Sequence, residues 1–349
     1  MGKRAKVRST DNISRRKFFQ KSISLAAALG VSGLVGGKSL SLASFAPSLS
    51  GINSRALVIL ARKTGRGNDL REFYGALLEA SLKRLAKTER SEDAWGKFFG
   101  PQDVVAIKVN SITGKRLSTS PALVTAIVDG LLSCGGRPDR RIVWDRTTWE
   151  LEAAGFRVNS GKGGPLCFGT DAPSIGYETS PTLLGAVGSC FSRIVTGETT
   201  ALINVPILRE HAVAGVSVAL KNNYGAIHNP NKYHADGCTP FVADVNTHPD
   251  IRNKTRLVVC DALNVQFHGG PGYKPKWTSS LEGILVSTDP VALDTIGAEQ
   301  IEKLRRSAGL RSLAEERRYP AYLSVASDSA HALGVSDRSS IDVINMEQA

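Results

Sequence analysis

None of the five cysteines, Cys134, Cys167, Cys190, Cys238 and Cys260, stands in a C-x-x-C pair, and no ferredoxin-type run is present. That argues against a cysteine-ligated iron–sulfur cluster, and so against an electron-transfer protein of that kind. The chain also has no G-x-G-x-x-G fingerprint, no Walker loop, no G-x-S-x-G elbow and no H-E-x-x-H. The usual nucleotide, hydrolase and metalloprotease readings therefore have no motif behind them. Basic charge is scarce where a nucleic-acid footprint would need it. The formal charge of the 349 residues is +12, but residues 1–43 hold nine bases and one acid, which leaves a net +4 on the rest. With no aromatic-interleaved basic stripe there, a nucleic-acid partner is not expected.

What is present is clearest at the start. Ser14-Arg15-Arg16-Lys17-Phe18-Phe19-Gln20-Lys21 resembles the twin-arginine export motif. A mildly apolar stretch, Ile23 to Val35, follows; it is too short and too rich in Ala, Gly and Ser to make a good membrane span. Ser41-Leu42-Ala43 offers the small residues that a signal peptidase reads. The expected organisation is a leader over residues 1–43, a polar linker over 44–54 and one α/β domain over 55–349. The expected partner is the twin-arginine export machinery, and the expected location is the periplasm. No stable membrane span is expected after cleavage, whereas an uncleaved leader would anchor the chain. An odd cysteine count in a protein folded before export argues against a disulfide framework.

Beyond the linker, apolar runs alternate with helical spacing. Ala56–Ala61, Val104–Val109, Arg141–Asp145, Ala201–Val205, Arg256–Asp261 and Gly283–Ser287 read as buried strands. Helices are expected over Asp69–Ala86, over Pro121–Ser133 behind Ser120, through Leu151 and Ala154, from Ala214 towards Asn222, and after Asp289-Pro290. Continuous apolar strands separated by helices predict a mostly parallel sheet with helices on both faces, as one large domain or two closely joined halves. Residues 156–192 are Gly-rich and read as short strands and loops.

In such a sheet, ligands bind beyond the carboxyl ends of the strands. Those ends are polar here: Lys108-Val109-Asn110, Asp145-Arg146, Asn204, Cys260-Asp261 and Thr288-Asp289. Asp289 before a proline fits a helix cap, and capping is an alternative for Asp145 and Asp261 too. Lys108 inside an apolar strand needs a carboxylate such as Asp145 or Asp261, or an anionic ligand. The densest polar region, Arg209 to His248, holds His211, His228, His234 and His248, four of the six histidines. It includes Lys221-Asn222 and the loop His228-Asn229-Pro230-Asn231-Lys232-Tyr233-His234, too polar for a core. His228 and His234 are the candidate metal ligands, although five intervening residues are no established zinc spacing. His268 lies in a Gly-Gly-Pro-Gly loop where ligand contact and plain turn chemistry are both open.

Val105 to Asn110, Asn204 to Leu208 with His211, Leu220 to Asn222, Asp261 with Gly269-Gly270-Pro271, and Ser287 to Asp294 resemble the DUF362 family over roughly residues 100–300. The leader together with the segment Tyr224 to His234 is similar to an exported branch of that family. The resemblance implies a fold and candidate positions but no reaction. The expectation is an exported enzyme acting on a small anionic molecule. His211, His228 and Lys108 are its catalytic candidates; Asn110, Asn204, Lys221, Asn222, Asn229, Asn231, Asp261 and His268 are its ligand-binding candidates. A non-catalytic periplasmic protein that binds a metal or solute is the alternative. The cofactor is left open, with a divalent metal as one option.

Overall fold

The computed structural model describes residues 55–348 except 66 and 162; the leader and linker expected over residues 1–54 lie outside the described residues. Among the described residues the strands, in chain order, are β1 (Ala56–Lys63), β2 (Val105–Val109), β3 (Arg141–Asp145), β4 (Leu166–Gly169), β5 (Thr182–Leu184), β6 (Val187–Ser189), β7 (Ala201–Val205), β8 (Ile207–His211), β9 (Gly215–Ser217), β10 (Thr255–Gln266), β11 (Thr278–Ser279), β12 (Gly283–Ser287) and β13 (Ile341–Gln348). The α-helices are α1 (Leu70–Ala86), α2 (Ser91–Phe98), α3 (Pro121–Ser133), α4 (Thr148–Ala154), α5 (Ala219–Asn222), α6 (Phe241–Asn246), α7 (Pro249–Lys254), α8 (Pro290–Ser307) and α9 (Tyr322–Ala326).

The main sheet has eleven strands, with the path β13-β1-β12-β10-β7-β2-β3-β4; β5 and β6 form a separate pair. Along that path β12 alone runs antiparallel to its neighbours, β1 and β10. The expected mostly parallel α/β sheet is therefore the fold. Side chains alternate between two buried layers. Val105, Ile107 and Val109 pack on one face with Phe73, Leu77, Trp95, Leu123 and Ile127 from α1 to α3. Ala106 and Trp144 share the other face with Leu220, Val242, Ile296 and Tyr322 from α5, α6, α8 and α9. Burying such a Leu or Ile is worth about 1.5–3 kcal/mol, so both layers are needed to fix the sheet.

Helix starts follow local chemistry. Asp69 Oδ1 accepts from Arg71 N at 2.7 Å, Ser120 Oγ from Ala122 N at 3.3 Å, and Asp289 Oδ1 from Val291 N and Ala292 N at 2.9 Å each. The expected cap at Asp289 is thus in place. One expected helix is not. The segment from Ala214 towards Asn222 is β9, hairpinned onto β8, followed by a single helical turn. Gly215, at φ +78°, turns the chain, and Val216 pairs with Glu210 of β8. Among the described residues no helix is long and apolar enough to cross a membrane.

Candidate functional site

Lys108 and Asn204 lie opposite each other on β2 and β7, in the layer under α5. Beyond the ends of β2 and β3, under β8 and α5, lies a cleft of about 210 Å³. Its wall includes Lys108, Asn110, Asp145, Arg209, His211, Lys221, Asn222, Asn231 and His234. Residues far apart in sequence thus meet where strands of this kind of sheet commonly present ligand sites.

One side of the wall is closed electrostatically. Lys108 Nζ donates to Asp145 Oδ1 at 2.7 Å and to the Val109 carbonyl at 2.6 Å. Asp145 Oδ2 accepts from the Ser111 amide and hydroxyl at 2.8 and 2.7 Å. Burial alone would raise the Asp145 carboxyl, but the Lys108 ammonium and these hydrogen bonds outweigh it and hold the carboxyl below its ordinary range. The backbone passes so close that a Cβ on Gly225 would sit 2.6 Å from Lys108 Cε and 2.9 Å from Asp145 Oδ1. Only glycine fits that position.

The other side holds two buried cations with no carboxylate partner among the described residues. Arg209 is 4% exposed and Lys221 is 6% exposed. Arg209 Nη1 donates to Thr113 Oγ1 at 2.8 Å, and its Nε has no partner. Burial pulls the Arg209 guanidinium down to about 10. Lys221 Nζ lies 3.1 Å from His234 Nε2 and 4.1 Å above the Tyr224 ring. Burial is also the main cause that brings Lys221 down to about 8; the Cys238 thiol opposes it and Arg209 adds to it.

The two histidines here are neutral, and their neighbours fix their tautomers. His211 Nδ1 accepts from Val213 N and Ala214 N, each at 3.2 Å, so Nε2 carries the proton. Burial, then Lys221 and Arg209, drive the His211 pKa down to about 2. His234 Nδ1 donates to the Pro230 carbonyl at 3.1 Å, so its Nε2 accepts from Lys221. Burial and Lys221 lower the His234 pKa as well. The rings stack with centroids 5.7 Å apart at 28°. Both nitrogens of His234 are therefore engaged, one of them with an ammonium. Among the described residues no group of three or more His, Cys, Asp or Glu converges as a metal-ligand set.

Of the sequence candidates, the cleft gathers Lys108, Asn110, His211, Lys221, Asn222, Asn231 and His234. The rest lie elsewhere. Asn204 stands behind the wall, its Nδ2 on the Ala219 carbonyl at 2.7 Å. His228 is exposed, edge-on to Tyr177 at 5.3 Å, and Asn229 accepts from Ser189 Oγ at 2.7 Å. His268 packs on Trp277 and faces Arg305 Nη1 at 3.2 Å. Asp261, expected among the pocket residues, is a structural tie: it accepts from Tyr74 Oη, Ser120 N and Leu263 N at 3.0, 2.9 and 3.0 Å. Burial raises its pKa against those three donors. It neither lines the cleft nor caps a helix. Sequence reasoning missed Arg209. The signal was a basic residue inside Ile207-Leu208-Arg209-Glu210, the same pattern that singled out Lys108. It also missed Asp294, whose two oxygens accept from Ala219 N at 2.6 Å and Leu220 N at 3.1 Å and so anchor the turn that carries Lys221 and Asn222.

Comparison with known proteins gives a family and little else. Residues 105–299, more than half of the chain, match a family described as a domain of unknown function, DUF362. A crystal structure of a Thermotoga maritima protein is similar at 10% identity and a TM-score of 0.37, covering 63% of this chain and 57% of that one. The chain thus spans less than two thirds of that protein's length, and a likeness this distant carries no argument. No curated protein matches.

Proposed function

The chain belongs to the DUF362 family, whose function is not established, and on that premise we propose that its cleft binds a small anion and acts on it by acid–base chemistry. One observation carries this reading: Arg209 and Lys221 are buried in the same wall, and neither has a carboxylate partner among the described residues. Burying unpaired charge is costly, and a bound anion removes the cost. His211 supplies a neutral N–H donor to the anion, since a group that titrates near 2 is a poor base at ordinary pH. The proton-transfer role falls to Lys221. Its pKa of about 8 lies near working pH, and the neutral His234 Nε2, which accepts from it, orients its ammonium. Lys108, tied to Asp145, holds the wall.

The test is calorimetric titration of the full chain with phosphate, succinate, glycerol and putrescine. The reading predicts binding of the anions alone, lost in Lys221→Met; binding of putrescine or glycerol instead overturns it. A non-catalytic solute binder is the second reading, favoured by a His211 too acidic to act as a base. It is separated by incubating wild type and Lys221→Met with a mixture of small organic acids and phosphate esters, followed by proton NMR. Consumption of a component by wild type alone supports catalysis.

We further propose export by the twin-arginine route, supported by Ser14 to Lys21. Replacing Arg15 and Arg16 by lysine should leave the precursor in the cytoplasm; normal periplasmic amounts of that variant contradict the proposal.

A further inference from the structure

Of the atoms along the cleft wall, two are buried without a partner: Arg209 Nε, a donor, and Asn110 Oδ1, an acceptor. An asparagine amide can be turned over, so its free atom has chemical meaning only if neighbours fix its orientation. Here they do. The Ala219 carbonyl can only accept, so Asn204 presents Nδ2 to it at 2.7 Å. Asn204 Oδ1 then accepts from Asn222 Nδ2 at 2.8 Å. Asn222 Oδ1 is left to accept, from Lys108 Nζ at 3.5 Å, a group with donors only, and from Asn110 Nδ2 at 3.2 Å. Turning Asn110 over would set two carbonyl oxygens against each other. The chain of three amides is polarised from end to end, and its last free atom is an acceptor.

The two carboxylates of the wall are already engaged. Asp145 takes Lys108 Nζ, Arg146 N and both Ser111 donors. Glu150 takes Arg146 Nη2 at 3.1 Å and Thr147 Oγ1 at 2.8 Å. Arg209, Lys221 and the His211 Nε2–H offer donors. A simple anion would answer those donors and leave the Asn110 oxygen unpaired.

We infer that the ligand is an anion that also bears a hydroxyl or similar donor, of the hydroxy-acid or polyol-phosphate class, and that Asn110 selects it. The inference rests on the anion reading of the cleft. A buried acceptor left unpaired disfavours a ligand that lacks the donor, by about tenfold or more in affinity.

Calorimetric titration of the full-length wild type with matched probes tests this: lactate against propionate, malate against succinate, and glycerol 3-phosphate against propyl phosphate. The expected result is about tenfold tighter binding of the hydroxylated member of at least one pair. In Asn110→Ala, or Asn110→Ser if alanine does not fold, that preference should vanish while the affinity of the deoxy member stays. Which pair responds tells a carboxylate from a phosphate ligand. Equal affinities within every pair overturn the inference but leave the anion site standing. Failure of every probe to bind overturns both. An Asn110 variant that weakens both members equally makes the residue structural and also overturns the inference.

Discussion

Lys108 and Arg209 are both basic residues set in apolar strands, both almost wholly buried, and both in the wall of one cleft. They differ in what meets them. Lys108 has Asp145 at 2.7 Å, and that carboxylate is held in turn by Ser111. Arg209 has a threonine hydroxyl and a distant carbonyl. A buried charge with a complete partner shell is spent on the fold; one without such a shell is available to a ligand. The same sequence feature thus yields a brace at one position and a binding group at the other.

The largest expected effect breaks the brace. Asp145→Ala leaves the Lys108 ammonium buried without its counter-charge and should cost about 3–5 kcal/mol, read from urea unfolding. The second prediction sharpens the other side. Lys221 titrates near 10.5 in the unfolded chain and near 8 when folded. Between those values the unfolded chain holds a proton that the folded chain lacks, so stability should rise as pH climbs from about 8 to 10.5. Anion affinity should move the opposite way, falling by up to about tenfold per pH unit above 8, because the ammonium is lost. The stability trend should flatten in Lys221→Met, as seen by denaturant titration across that range; the affinity trend is read by calorimetry on wild type.

Smaller effects test the scaffolding of each side. Asp294→Ala strips the acceptors from Ala219 N and Leu220 N and should cost about 1–3 kcal/mol, with weaker anion binding because the Lys221 turn loosens. Gly225→Ala forces a methyl against Lys108 and Asp145 and should cost about 1–3 kcal/mol in thermal unfolding. It acts on the paired side, so any anion affinity it retains supports the division between the two halves of the wall.

The sheet was largely legible because its strands are continuous apolar runs and its helices begin with Ser120-Pro121 and Asp289-Pro290. The hairpin at Gly215 was not, because a short stretch of Val and Ala fits either period until the turn is known. The cleft was half legible. Lys108, Asn110, His211 and Lys221 were named from strand ends and polar loops, and they meet. Asp261 was named by the same rule and turned away, because its oxygens answer three donors from α1, the start of α3 and β10. Sequence cannot tell which buried charge finds its partner inside the fold. For that reason Lys108 stood open between an ion pair and a ligand contact, and Arg209 was named only as the edge of the polar region.

Arg209→Met, measured for both stability and anion affinity, tests the division most directly. The variant should unfold within about 1 kcal/mol of wild type, since removing an unpaired buried charge offsets the lost hydrogen bonds. Its affinity for the tightest-binding probe anion should fall at least about a hundredfold, as expected for loss of a charged hydrogen bond in a desolvated site. An Arg209→Met protein as unstable as Asp145→Ala, or one that binds the anion as wild type does, would contradict the account.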